Sequence, residues 1–290
     1  MAAHKICLGV ETNQDGLKIA LVEPGRKHII RVDVLPTSGN SITDVSIYSS
    51  VLNSWMRSNL LPKISSIAVT FPACNGIMRL VSIPKEIEDT YNYVSWEFAS
   101  SINSNSSDYK MAVAFYPNAK KPECAVTVAM RKRIVDSFHS AELERSGLRP
   151  KYLMADICVL HNLLESSEGL GSQPKCVLKA DEKFVSAFWS KESGPVAIRL
   201  LPDDCISPSA VLGILQGGYG EYPKAKKVVK LCGELSARND FTNELVTLGA
   251  NAGIEIQPWK QLSKFSLEKN ADFSKLSQCL GAIGATLCCE

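Results

Sequence analysis

The chain opens the same way twice. Around residue 6, three short runs with alternating apolar positions follow one another (6–10, 17–22 and 28–35), and around residue 175 three more do so (175–180, 184–190 and 195–201). The first two runs are joined by Glu11–Thr–Asn–Gln–Asp–Gly16, a turn built from residues that hairpins favour. Each triplet is followed by segments that alternate between helical and strand periodicity. In the first half these are a helix over 44–59, capped by Asp44 with Val45, Tyr48, Leu52 and Trp55 on one face, and a strand at 64–69. In the second half they are a short helix at 209–216, a strand at 228–232, a helix at 240–251 and a strand at 254–256. Three consecutive strands with short turns form an antiparallel meander, whereas strands separated by helices pair in parallel. A chain that does this twice is constrained to an α/β fold of two similar domains, each around its own mixed sheet.

What remains fits around that plan. Residues 77–83 alternate as a strand. Pro84 opens a helix with Ile87, Tyr91, Val94, Phe98 and Ile102 on one face. Residues 110–116 and 124–130 form a strand pair. A helix over 131–146 stops at Gly147, with Pro150 close behind. A strand at 152–155 and a helix at 157–165 lead into a small-residue stretch, 166–174, and a last helix covers 272–287. The expected domains are 1–83 with 131–166, an inserted subdomain at 84–130, a linker at 167–174 and a second domain at 175–290.

A chain of 290 residues is long enough for two cores. A formal net charge of +2 argues against a nucleic-acid partner. The 10 cysteines are scattered without a CxxC pair, so they read as small buried hydrophobes of a reducing compartment and not as a zinc site. Cys288 and Cys289 read as an ordinary chain end. No apolar run is long enough for a membrane helix, and the first residues lack a signal-peptide pattern. The expectation is a cytoplasmic protein, touching a membrane only through a partner.

The middle of the chain adds a family. IAVTFPACNGIMRLVSIP (67–84), EIEDTYNYVSWEFASSI (86–102) and VAMRKRIVDSFHSAELERSGLRPKYLMADICVLHNLLE (128–165) resemble, in order and spacing, the PilM family of type IV pilus assembly proteins. Those proteins are actin-like and related to FtsA. The resemblance implies duplicated actin-like (ribonuclease H-like) domains facing a cleft, with an inserted small subdomain. It also implies a cytoplasmic scaffold at the inner membrane that captures a short peptide of a bitopic assembly protein. Trp96, on the inserted helix, and Asp156, at the family's Asp position, are the candidate partner-binding residues.

The same resemblance places a nucleotide site and shows it degraded. The first hairpin takes the place of the first phosphate loop, with Gly9, Glu11, Asn13 and Lys18 in its register. Glu11 replaces an Asp, Asn13 replaces a Gly whose absence blocks close backbone approach, and Asp15 adds a charge that repels phosphate. The second loop falls on Lys179–Ala180–Asp181, without its Asp-x-Gly. Of the nucleotide-side glycines, Gly233 alone remains. The stretch 203–227 is too short for the fourth subdomain, and Gly217–Gly218–Tyr219–Gly220 lacks the Lys-Ser/Thr of a P-loop. The expectation is a protein with ATP hydrolysis lost and no catalytic or metal residues, ATP/Mg being held only if the cleft still works. The alternatives are an active ATPase or sugar kinase of this fold, and an actin-like component of a type II secretion or competence system.

Overall fold

The computed structural model describes residues 5–102, 106–116, 122–220, 226–269 and 271–289. Its strands and helices follow in chain order as β1 (Cys7–Thr12), β2 (Gly16–Glu23), β3 (His28–Pro36), α1 (Val45–Ser58), β4 (Ser66–Phe71), β5 (Ile77–Ser82) and α2 (Thr90–Ser100). Then come β6 (Tyr109–Tyr116), β7 (Cys124–Arg131), α3 (Lys132–Phe138), α4 (Ala141–Arg145), β8 (Tyr152–Ala155) and α5 (Asp156–Glu168). The second half contains β9 (Lys175–Asp181), β10 (Phe184–Lys191), β11 (Gly194–Pro202), α6 (Pro208–Gly220), β12 (Val228–Cys232), α7 (Asn239–Asn251), β13 (Glu255–Pro258), β14 (Ser266–Leu267) and α8 (Leu280–Thr286).

Two compact units are formed, Met1–Pro72 with Arg133–Glu168 and Lys260–Glu290, and Ala73–Lys132 with Gly169–Trp259. The first is built on a sheet of order β14-β3-β2-β1-β4-β8. β1, β2 and β3 pair antiparallel, and β4 and β8 join β1 in parallel. The second is built on β11-β10-β9-β12-β13. Its meander is again antiparallel and its later strands parallel. Leaving β14 aside, the strand order is the same in both, as the doubled opening predicts.

In the first unit α1 starts at Asp44, whose side chain accepts from the Ser46 amide, and buries Tyr48, Leu52 and Trp55. Tyr48 packs edge-on against Phe138, and its hydroxyl donates to the Leu148 carbonyl. The predicted helix over 131–146 is two helices. Ser140, extended at φ −66° and ψ 152°, caps α4 through the Leu143 amide and breaks the run. The predicted last helix begins only at Leu280, after a 3-10 turn at Leu276–Gln278. α8 lies across β1, β2 and β4 against α5, and each of its seven residues is buried. The boundary expected at 175–290 therefore differs from the compact units. Residues 260–290 pack with the first unit because β14 pairs with β3 and α8 covers β1.

In the second unit α6 and α7 bury Val211, Leu215, Tyr219, Phe241 and Leu245 in one core with the sheet. The sequence from Gly217 to Pro223 reads as a loop, but the glycines at 217, 218 and 220 lie in α6. A Cβ on Gly218 would stand 2.2 Å from the Trp189 ring, so this glycine makes room for an indole. Tyr219 meets the same ring edge-on at 5.7 Å and donates to the Val228 carbonyl. The rest of that loop lies outside the described residues, as does Lys224, the first residue of a basic cluster over Lys224–Lys230 that reads as a solvated face. The small sheet β5-β7-β6 belongs to this unit and packs beside β11. Gly194 fits against Tyr116 there, at φ +121°. Its helix α2 starts later than Pro84 predicts, at Thr90, because Asp89 caps it through the Asn92 amide.

Candidate functional site

Both meanders turn at the places where the sequence puts phosphate loops, and each turn is filled from within. In the first unit the turn is Asn13–Gln14–Asp15, between β1 and β2. Glu11 and Lys18 stand opposite each other in the antiparallel register. The Lys18 Nζ donates to Glu11 Oε1 at 3.3 Å, with side chains 1% and 0% exposed. A methylene longer than Asp, Glu11 reaches under α8. A Cβ on Gly281 would stand 2.1 Å from Glu11 Oε2. Gly9, one pleat earlier on the same strand, faces the same helix, and its Cβ would stand 1.9 Å from the Ala282 carbonyl oxygen.

Two backbone donors of that turn are used locally. The Asn13 amide donates to the Gly16 carbonyl at 2.9 Å. The Gln14 amide donates to the Asn13 side chain at 2.8 Å. Ser41 donates to the Asn13 carbonyl and Thr12 to the Thr70 carbonyl. A phosphate cradle needs amides that converge on empty space. Here the Asn13 and Gln14 amides close the turn itself.

The second unit reaches a similar end with different residues. Lys179 and Asp181 are two apart on β9, hence on one face. Their side chains form an ion pair at 3.2 Å, 4% and 5% exposed. Asp181 Oδ1 accepts from the Glu234 amide at 2.9 Å, and Glu234 Oε2 accepts from the Glu182 amide at 3.1 Å. Two carboxylates thus bond amides that an anion-binding loop keeps for its ligand. Gly233 permits this approach. It sits at φ +93°, and a Cβ would stand 2.5 Å from the Ala180 carbonyl oxygen.

The candidate partner residues separate. Trp96 is 63% exposed on α2, so it is packed into no core. Asp156 is fully buried at the start of α5, where Oδ1 accepts from the Ile157 amide. Its carboxylate is thus enclosed within the first unit, at the first residue of α5. Tyr91, expected inside with Val94 and Phe98, is 55% exposed. Cys158 and His161, one helical turn apart on α5, are shifted by burial away from their charged forms. The thiol is pushed up to about 12 and the imidazole down to about 4. Among the described residues no group of three or more His, Cys, Asp or Glu is placed to hold a metal ion, and no helix is long and apolar enough to cross a membrane. The role of α8 was not legible beforehand. Its only signal is the run of small residues Gly281, Ala282, Gly284 and Ala285.

No protein-family model and no curated protein sequence matches the chain. Solved structures do. A chain of the PilM–PilN type IV pilus biogenesis complex superposes with TM-score 0.71 at 16% identity, over 98% of both chains. The cytoplasmic domain of EpsL, an inner-membrane component of the type II secretion system of Vibrio cholerae, gives 0.55 at 11% identity, over 97% of this chain and 93% of that one. A Bacteroides thetaiotaomicron protein of unknown function with an actin-like ATPase fold gives 0.54 at 11% identity, over 88% and 91%. At such identities the likeness is one of fold, and the chain has the PilM-like, actin-type α/β fold that its sequence resembles.

Proposed function

We propose that this protein is a non-hydrolysing actin-fold scaffold of a type IV pilus-like assembly machine, which holds a cytoplasmic peptide of an inner-membrane partner. The observation that carries the reading is that both phosphate-loop turns are closed by the chain's own groups, at Glu11–Lys18 and at Lys179–Asp181–Glu234. Charge-assisted hydrogen bonds contribute about 1.5–3 kcal/mol each. A nucleotide phosphate entering either turn forfeits several of them and meets a carboxylate where it needs amides. The likeness to the PilM–PilN chain over 98% of both chains supports the pilus side of the reading over the type II secretion side, where the fit is looser.

Two measurements test it. Millimolar Mg-ATP is expected to leave the melting temperature unchanged and to give no heat on titration. A ligand at 100 times its Kd stabilises by about 2.7 kcal/mol, an effect easily seen. Micromolar binding with turnover favours the active ATPase instead. Trp96→Ala is expected to leave stability within about 0.5 kcal/mol, as for other exposed positions. The same change is expected to weaken a captured peptide about tenfold or more, the size of a Trp hot spot. Titration with peptides copied from the cytoplasmic segments of candidate single-span assembly proteins gives that number, and unchanged affinity for a peptide that does bind removes α2 as the docking face.

A further inference from the structure

The two ends of the first unit meet at a pair of thiols. Cys7 lies on β1, in parallel register with Ser66 on β4. Its Sγ is 3.2 Å from the Ser66 hydroxyl. Cys289, at the end of the chain, joins Cys7, Ala68, Val159 and Ala285 in one buried cluster, flanked by Tyr152 and Met154. The two thiols are close enough to shift each other's titration in opposite directions, and Ser66 lowers both. We propose that Cys7 and Cys289 are a redox pair, oxidised by a hydroperoxide to a disulfide that ties the chain's C-terminal end to β1.

The surroundings set the order of events. The neighbouring Cys289, helped by Ser66 and by the charges of Lys5 and Lys151, holds the Cys7 thiol below its ordinary range against the opposing effect of burial. Cys289 itself is pushed up, by Cys7 and by burial. Cys7 is therefore the attacking thiolate and Cys289 the resolving thiol. Elsewhere in the chain, burial pushes the Cys158, Cys176 and Cys279 thiols up. Ser66 and Lys151 also line a cavity of about 810 Å³, shared with Lys63 and Arg149. Both sulfurs are buried, so hydrogen peroxide, little larger than water, is the class of oxidant that fits.

In the first step the Cys7 sulfur bonds to one peroxide oxygen, the O–O bond breaks, and the departing hydroxide takes a proton to become water. In the second the Cys289 sulfur attacks the Cys7 sulfenic sulfur, the S–S bond forms and the S–O bond breaks. The hydroxide leaves as water with the Cys289 proton. Two thiols lose two electrons, and one peroxide becomes two waters.

The test is one equivalent of hydrogen peroxide added to the reduced full-length protein, followed by alkylation and non-reducing peptide mapping. The expected product is a crosslinked peptide pair joining Cys7 and Cys289, with two fewer alkylated thiols and a melting temperature raised by several degrees until dithiothreitol is added. Cys7→Ser and Cys289→Ser lose the crosslink, and Cys288→Ser keeps it. The wild-type map is decisive without any variant. Oxidation confined to the exposed Cys74 and Cys205, or a crosslink from Cys7 to Cys288, overturns the proposal.

Discussion

Gly9→Ala is expected to lower stability by about 3 kcal/mol, the upper end of what overpacking a core costs. The melting temperature should fall by roughly 10 °C. The new methyl group would stand 1.9 Å from the Ala282 carbonyl oxygen. The obstacle is helix backbone, which has no rotamer to change. Relief requires α8 to lift off β1, and lifting exposes Leu280 and Ile283, both buried against the sheet. Gly213→Ala is the control. A Cβ there meets nothing within 4 Å, and Ala is the better helix former by about 1 kcal/mol, so stability should hold or rise. Differential scanning calorimetry on the two variants decides the matter. A Gly9→Ala protein that melts with the wild type means that α8 does not bear on β1 as described, and that Gly9 answers to something other than the helix.

Lys18→Met is expected to cost about 3–5 kcal/mol, because it strands the Glu11 carboxylate in a fully buried site. The double variant Glu11→Gln, Lys18→Met should recover most of that loss, since no charge is then buried and the side-chain volumes are nearly kept. Urea titrations of the wild type, the two single variants and the double variant close the cycle. A coupling energy of about 2 kcal/mol or more is the expected result. Additive losses would show that Glu11 is held by its other surroundings and that the pair is not what closes the turn. The cycle bears on function as well as on stability. A buried ion pair is weak evidence for net stabilisation, so the coupling has to be measured. If the pair is coupled, the first hairpin is occupied in the resting protein.

The strands and most helices were legible because their signals are local. Alternation at period 2 marks 6–10, 17–22 and 184–190 without any knowledge of what they pack against. The doubled opening predicted that the two sheets share one plan, an antiparallel meander with parallel strands added after helix crossovers, but not the edge strand β14. Helix ends were read less well where a capping side chain overrode a stronger-looking signal. Asp89 starts α2 six residues after Pro84 suggested, and Ser140 cuts one predicted helix into α3 and α4.

The candidate site was legible in its residues and not in its wiring. Glu11 and Asn13 stand out as departures from the phosphate-binding pattern of the family the sequence resembles, whereas Lys18 and Gly233 keep it. Neither the replacements nor the retained residues say how the turns are closed. Lys179 and Asp181 are neighbours on one strand face, a pairing the strand period makes readable. The Asp181 bond to the Glu234 amide, 53 residues on, is not. The same holds for Gly281 beneath Glu11, and for Cys289 beside Cys7. Sequence alone determined the two meanders, their hairpins and which residues fill the turns, because each depends on residues close along the chain. Tertiary structure alone decided that a C-terminal helix of small residues covers β1, and that internal carboxylates bond the Glu182 and Glu234 amides. Both depend on which distant backbone comes within 3 Å of a given side chain, and only the folded chain fixes that distance.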